Sequence, residues 1–152
     1  MPQNWDFCLL KNLCIDIKAG GDKPKDYSEN CNELYKYPIV ANGLKNNGII
    51  GYSKNYTVNK TSITISGRGT IGYPVVRNYP YTPIVRLLVL IPYSLIDINY
   101  LSMLLSLKCN TSTGTSIQQL TVPMINDIGI ELAPLKEQQR IVNKINLLFN
   151  LF

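Results

Sequence analysis

Apolar and polar residues alternate along Ile63-Thr64-Ile65-Ser66, the period-2 signature of a half-buried strand. Gly67, Gly69 and Gly72 follow, with Arg68 between the first two. Glycine accepts backbone angles closed to other residues, so this segment predicts a tight bend that presents Arg68 close to a partner. A proline-rich loop leads to a second apolar run, Ile84 to Ile91. The stretch from Thr61 to Pro92 thus predicts strand, glycine bend, loop, strand.

Toward the N-terminus, Leu9, Leu10, Leu13 and Ile17 keep a helical spacing and predict a short helix, with Trp5 packed against the core. Gly20-Gly-Asp-Lys-Pro-Lys25 breaks that pattern. Asn42-Gly43 and Asn47-Gly48 are turn signals between apolar runs. They predict a second bend with Lys45, Asn46 and Asn47 at its tip and Tyr52, Lys54 and Tyr56 nearby. Toward the C-terminus, Ile98, Leu101, Leu104 and Leu105 predict a helix from about Asp97 to Lys108, and Asp127 to Leu132 reads as a last strand. A final helix starts after Pro134, a residue well placed there. In it Ile141, Ile145, Leu148 and Phe152 form a coiled-coil-like seam, widened by Val142 and Phe149. That seam either packs on its own domain or, since the chain stops within the pattern without a capping glycine, meets a partner.

These elements give an α+β chain: a mixed, mostly antiparallel twisted sheet with a few short helices, followed by the C-terminal helix. Residues 1–133 form one domain and 134–152 the start of a coiled-coil-type helix. At 152 residues and 45% hydrophobic content, with a mean hydropathy of +0.01, the chain is long enough for a real core and reads as globular. Arg86 interrupts the longest apolar run, well short of a membrane span. No leader opens the chain, so a cytoplasmic protein is expected.

A net charge of +5 permits a nucleic-acid partner without demanding one. The sequence has no histidine, and Cys8, Cys14, Cys31 and Cys109 show no C-x-x-C spacing. Zinc is disfavoured, and the commonest general base is missing. Neither metal nor cofactor is expected. Gly67-Arg-Gly-Thr-Ile-Gly72 matches a dinucleotide fingerprint. That motif requires a helix directly after the glycines, and Pro74, Val75, Val76 and Pro80 stand there instead.

The loops carry the remaining chemistry. Lys23 and Lys25, the tip residues Lys45 and Asn46, and Lys54 suit phosphates and base edges, and equally suit solvated turns. The polar stretch containing Thr113, Thr115, Ser116 and Gln118 is dense in groups that contact phosphate. Arg68 offers a planar fork for a guanine edge; alternatively it braces the fold against a carboxylate such as Asp16 or Glu131. Lys45, Lys54 and Arg77 are expected on phosphates.

Trp5, Gly20-Gly-Asp-Lys-Pro-Lys25, Tyr37-Pro38, Asn42-Gly43, Gly48-Ile-Ile-Gly-Tyr-Ser53, Ser66-Gly-Arg-Gly-Thr-Ile-Gly72, Thr113-Gly-Thr-Ser-Ile-Gln118 and Leu135-Lys-Glu-Gln-Gln-Arg-Ile-Val142 occur in an order that resembles one target-recognition domain of a type I restriction-modification specificity (S) subunit. The resemblance spans nearly the whole chain. It implies a non-catalytic module that reads half of a bipartite site in double-stranded DNA, with Asn42 among the DNA contacts. It also implies a following helix that measures the spacing and docks methyltransferase (M) subunits, with Glu137 and Gln138 on the partner side, in a complex that can include the restriction (R) subunit. Full S subunits usually carry two such domains, and this chain has one. Its helix covers roughly 18 residues, about 27 Å, which is shorter than the family spacer, and Ala133 stands where the family often has proline. A half-subunit pairing with a second copy through the helix fits these departures. So does a truncated chain or recombination cassette acting only as a protein-interaction module. A small nucleotide-dependent enzyme is the third reading, supported by the glycine pattern alone.

Overall fold

A computed structural model describes residues 1–110 and 119–151. In chain order the strands are β1 (Asp6–Leu9), β2 (Cys14–Ala19), β3 (Tyr37–Val40), β4 (Ile49–Ser53), β5 (Ser62–Ile65), β6 (Pro74–Arg77), β7 (Thr82–Pro83) and β8 (Leu88–Pro92). Helix α1 (Ile98–Asn110), helix α2 (Val122–Asn126), strand β9 (Gly129–Leu132) and helix α3 (Leu135–Asn150) complete the chain.

The central sheet has the order β2-β8-β5-β6 and is antiparallel throughout. A three-stranded sheet, β4-β3-β7, lies beside it; its β3–β7 pair is parallel. The outlying pair β1–β9 is antiparallel.

Strand β8 explains the layering. Leu88 and Leu90 enter one core with Ile63, Ile65, Leu10, Leu101, Leu105 and Ile125. Val89 and Ile91 point the other way, into a second core with Val40, Val58 and Tyr81. A strand covered on both faces reads as a continuous apolar run rather than as an alternation, as Leu88-Val89-Leu90-Ile91 does. Each fully buried aliphatic side chain contributes about 1.5–3 kcal/mol, so both layers are held chiefly through this strand.

The same double cover changes the reading of β5. Its alternation predicts one wet face, yet Ser62 and Thr64 are as buried as Ile63 and Ile65. The second layer lies over them, and partners come from both sides: the Ser62 and Tyr81 hydroxyls meet at 2.6 Å, and Arg77 of the neighbouring strand β6 donates from Nε to Thr64 Oγ1 at 3.0 Å. Burial of Tyr81 lifts its phenol to about 12, which keeps it neutral.

Two further expectations are corrected. The helix read across Leu9 to Ile17 is two strands joined by a single 3-10 turn, Leu10–Asn12. Pairing of β1 with β9 and of β2 with β8 outweighs the local spacing, while Leu10 and Leu13 bury themselves at the turn. The proline-rich segment is not only loop, because it contributes the strands β6 and β7 at sheet margins, where proline is tolerated. Helix α2 carries no sequence expectation. By contrast, α1, β9 and α3 lie close to where periodicity puts them, and Trp5 packs against Tyr100, Ala133 and Val142.

Helix α3 leans on α1 through its first turns. Gln138, expected on a partner, is 2% exposed. Its Oε1 accepts from the Asp97 backbone N–H at 2.9 Å, and its Nε2 donates to the Ala133 carbonyl at 2.7 Å. It therefore bolts the helix to its own domain. Replacing Gln138 with leucine leaves a buried donor and a buried acceptor unpaired, at about 1–3 kcal/mol each. Thermal unfolding of Gln138→Leu is expected to shift down by about 5–10 °C; an unchanged midpoint would refute the bolt.

Candidate nucleic-acid interface

One side chain gathers several loops at the same end of the sheets. Asn42 Oδ1 accepts from the Gly67 backbone N–H at 2.9 Å, and its Nδ2 donates to the Val85 carbonyl at 2.9 Å. Beside it the Gly43 N–H reaches Ser66 Oγ, and the Gly72 N–H closes the bend on the Ser66 carbonyl. Gly67 has no room for a side chain, since a Cβ there would lie 2.8 Å from the Leu120 carbonyl oxygen and 3.0 Å from that of Arg86. The glycine bend is thus packed backbone to backbone, and Arg68 stands exposed at its crest. Asn42, expected among the DNA contacts, is half-buried and uses its amide oxygen and one N–H inside the fold, where it positions the loops.

The neighbouring turn is unusual. The Leu87 N–H donates to the Ile84 carbonyl, and the two residues between, Val85 and Arg86, have φ of 39° and 63°. Paired positive φ is what Asn-Gly normally supplies in a tight hairpin turn. For a β-branched residue it is a genuine outlier, costing on the order of 1–3 kcal/mol. The surroundings enforce it. Val40 and Gly21 carbonyls accept from the Ile84 and Val85 N–H groups, and the Gly20 N–H donates to the Leu87 carbonyl. A Cβ on Gly20 would strike the Pro83–Ile84 backbone at 2.7 Å.

The basic residues divide between two places. Lys45 and Asn46 are exposed at the β3–β4 tip, where Asn46 and Asn47 adopt positive φ, beside the Asn42 cluster. Lys54 lies at the far end of the same hairpin, beyond β4, about 16 Å along five strand residues. It does not accompany Lys45, contrary to the sequence reading. Lys54 Nζ pairs with Asp26 at 2.7 Å, and the Tyr35 hydroxyl donates to Asp26. Hydrogen bonds from Lys54 and Tyr35 hold the Asp26 carboxyl below its ordinary range. Lys25 and Lys54 line one cavity of about 320 Å³ with Asp26, and Lys23 lies over the Tyr27 ring at 3.6 Å.

Arg77 is a second correction. It is 2% exposed, and its guanidinium donates to Thr64 Oγ1, to the Tyr79 hydroxyl at 2.8 Å and to the Asn47 carbonyl at 2.5 Å. It ties the hairpin tip to the central sheet and has no surface left for phosphate. Among the described residues, the Arg68 guanidinium reaches Gln119 Oε1, at 3.5 Å. The carboxylates that could have braced it are engaged elsewhere, Asp16 with Lys18 and Glu131 with Lys108. Thr113, Thr115, Ser116, Gln118 and Phe152 lie outside the described residues.

On α3, Glu137 forms an ion pair with Arg140, one turn on. Ile141 packs against the Tyr100–Ala133–Val142 cluster and Ile145 is half-buried. The second half of the helix turns apolar side chains to solvent, with Leu147 at 66%, Leu148 at 50% and Phe149 at 76% exposure.

Two of the cysteines are poor nucleophiles. Burial lifts the Cys14 thiol to about 12 and the Cys109 thiol to about 11, so both stay protonated near neutral pH. The segment after Gly72 is strand β6 rather than a helix, which removes the phosphate seat of a dinucleotide site.

The bracing role of Arg77 is directly testable. Arg77→Met keeps the stem and orphans three acceptors. It is expected to lower the unfolding midpoint by on the order of 5 °C and to speed amide exchange across residues 44–48. A variant as stable as its parent would return Arg77 to the surface contacts.

Comparisons with known proteins agree with this geometry. No helix among the described residues is long and apolar enough to cross a membrane. A Mycoplasma pneumoniae protein named as a type I specificity subunit is 35% identical over 154 residues, covering 99% of this chain and 46% of its own length; the chain thus spans less than half of that relative. A chain from a structural study of complex assembly and conformational transition in a type I R-M system superposes with a TM-score of 0.81 at 21% identity, covering 99% of this chain and 39% of that one. The HsdS subunit of Thermoanaerobacter tengcongensis gives 0.77 at 22% identity, with 99% and 38% coverage; both matches share the mixed α+β fold. The family described as the type I restriction modification DNA specificity domain matches residues 2–151, and this chain belongs to it.

Proposed function

We propose that this chain is the sequence-reading unit of a type I specificity subunit. Residues 1–133 read half of a bipartite DNA site, and residues 134–152 begin the helix that docks methyltransferase subunits, which supply the catalysis. The observation that carries this reading is the Asn42-clamped bend. It presents Arg68, which forms no ion pair among the described residues, at the same end of the fold as Lys45. A fixed arginine fork suits a guanine edge, and a mobile lysine suits a phosphate. Lys54 is a weaker phosphate candidate, because a phosphate must displace Asp26.

The exposed apolar second half of α3 favours a protein partner for the helix, either a methyltransferase subunit or a second copy. A two-fold arrangement of copies would read a palindromic site with a central spacer. This surface also supports the narrower reading of a chain that binds methyltransferase subunits without forming a productive DNA complex. Gel shifts with and without a methyltransferase subunit separate the two.

Arg68→Ala is expected to keep its melting temperature and to lose preference at one base position in a selection from random duplexes, by roughly five- to 150-fold. Lys45→Ala should weaken all sequences about equally and reduce the log–log salt slope by roughly one. An Arg68→Ala protein that melts lower and selects the parental motif makes Arg68 scaffold.

Leu148→Asp combined with Phe149→Asp should abolish association with the methyltransferase subunit or with a second copy, read by sedimentation, while leaving the unfolding midpoint within about 2 °C, since both side chains are exposed. Undiminished association would move the docking surface off this helix.

A further inference from the structure

We infer that Arg86 is a second base-reading arginine, paired with Arg68 across one site, and that Asn42 is the positioning residue that sets their spacing. The inference rests on the DNA-reading function proposed above.

Four observations carry it. Arg86 is exposed, and like Arg68 it takes part in no ion pair among the described residues. No carboxylate among the described residues takes up its charge. Arg68 and Arg86 line the same cavity of about 160 Å³, whose walls include Leu88, Leu120 and Val122. The Asn42 amide touches both bends, holding the Gly67 N–H one residue before Arg68 and the Val85 carbonyl one residue before Arg86. Finally, Arg86 is delivered by the left-handed Val85–Arg86 turn, fixed through the Val40, Gly21 and Gly20 backbone groups.

The turn is the telling feature. Val85 is 51% exposed, so the burial of its side chain does little to offset the unfavourable φ. What the turn achieves is direction, because the side chain of the next residue leaves from a backbone that cannot swing. Strained backbone that its surroundings over-determine is found where aim matters. A phosphate contact tolerates a flexible tether, whereas a bidentate contact to a base edge does not. Two planar forks on either side of apolar walls fit the major-groove edges of two guanines at neighbouring base pairs. Each fork takes O6 and N7, and the apolar walls suit a thymine methyl.

The test uses the chain assembled with a methyltransferase subunit and selection from random duplexes. Arg86→Ala should lose preference at one base position, adjacent to the one lost in Arg68→Ala, by roughly five- to 150-fold. Arg86→Lys keeps the charge and loses the fork; it should lose the same position while retaining the parental salt slope. Asn42→Asp keeps the acceptor for Gly67 and loses the donor to Val85, so it should relax the Arg86 position more than the Arg68 position. Uniform weakening of all sequences by Arg86→Ala with a salt slope lower by about one, or recovery of the parental motif by Arg86→Lys, would make Arg86 a phosphate contact and overturn the inference. An intact motif in Arg86→Ala also overturns it. If the parent selects a motif and only the Arg86 variants are silent, the role of Arg86 falls alone. If the parent selects none, the DNA-reading function falls as well.

Discussion

Both faces of Leu88–Pro92 are covered, and the rest of the architecture follows from that burial. Leu88 and Leu90 supply one core, Val89 and Ile91 the other. A second layer must then lie over the far side of the central sheet, so the polar face of Ser62–Ile65 cannot reach water. Buried hydroxyls without partners are costly. Tyr81 and Arg77 provide those partners, and Arg77 extends the same network to the hairpin carbonyl of Asn47. A guanidinium inside a protein requires several acceptors, and this one has three within 3.0 Å.

From that layered body the loops emerge already tied to one another. Asn42 links the Gly67 bend to the Val85–Arg86 turn, and Gly20–Gly21 secures the same turn from the opposite side. The result is a set of backbone positions held by hydrogen bonds rather than by side-chain packing. The scaffold uses Asn42 and Arg77, whereas the exposed Arg68, Arg86 and Lys45 form no ion pair among the described residues. Lys25 and Lys54 belong to a separate cluster, where Asp26 already takes up the charge of Lys54.

Helix α3 shows a similar split along its length. Its first turns are fastened by Gln138 and Val142, and its later turns carry Leu147, Leu148 and Phe149 outward. The apolar side of the helix thus packs on the parent domain first and then turns to solvent.

Local pattern alone determined a good deal. Periodicity and turn chemistry located α1, β9, α3, the 44–48 hairpin tip and the glycine bend, because the spacing of apolar residues and the position of glycines mark each one locally, although distant partners hold β9 and the bend in place. The order of short motifs identified the family. The tertiary structure decided the remainder, and the physical reason is sequence distance. Leu9 to Ile17 has a helical spacing that only the distant strands β8 and β9 override. Nothing in Arg77 itself distinguishes a buried brace from a surface contact, since its acceptors come from three separate segments. Gln138 looks like any polar helix residue until Asp97 and Ala133 are brought to it. The Val85–Arg86 turn carries no sequence signal at all, for its residues are poor formers of that turn; it exists because Val40, Gly20, Gly21 and Asn42, all more than 40 residues earlier in the chain, hold it in place.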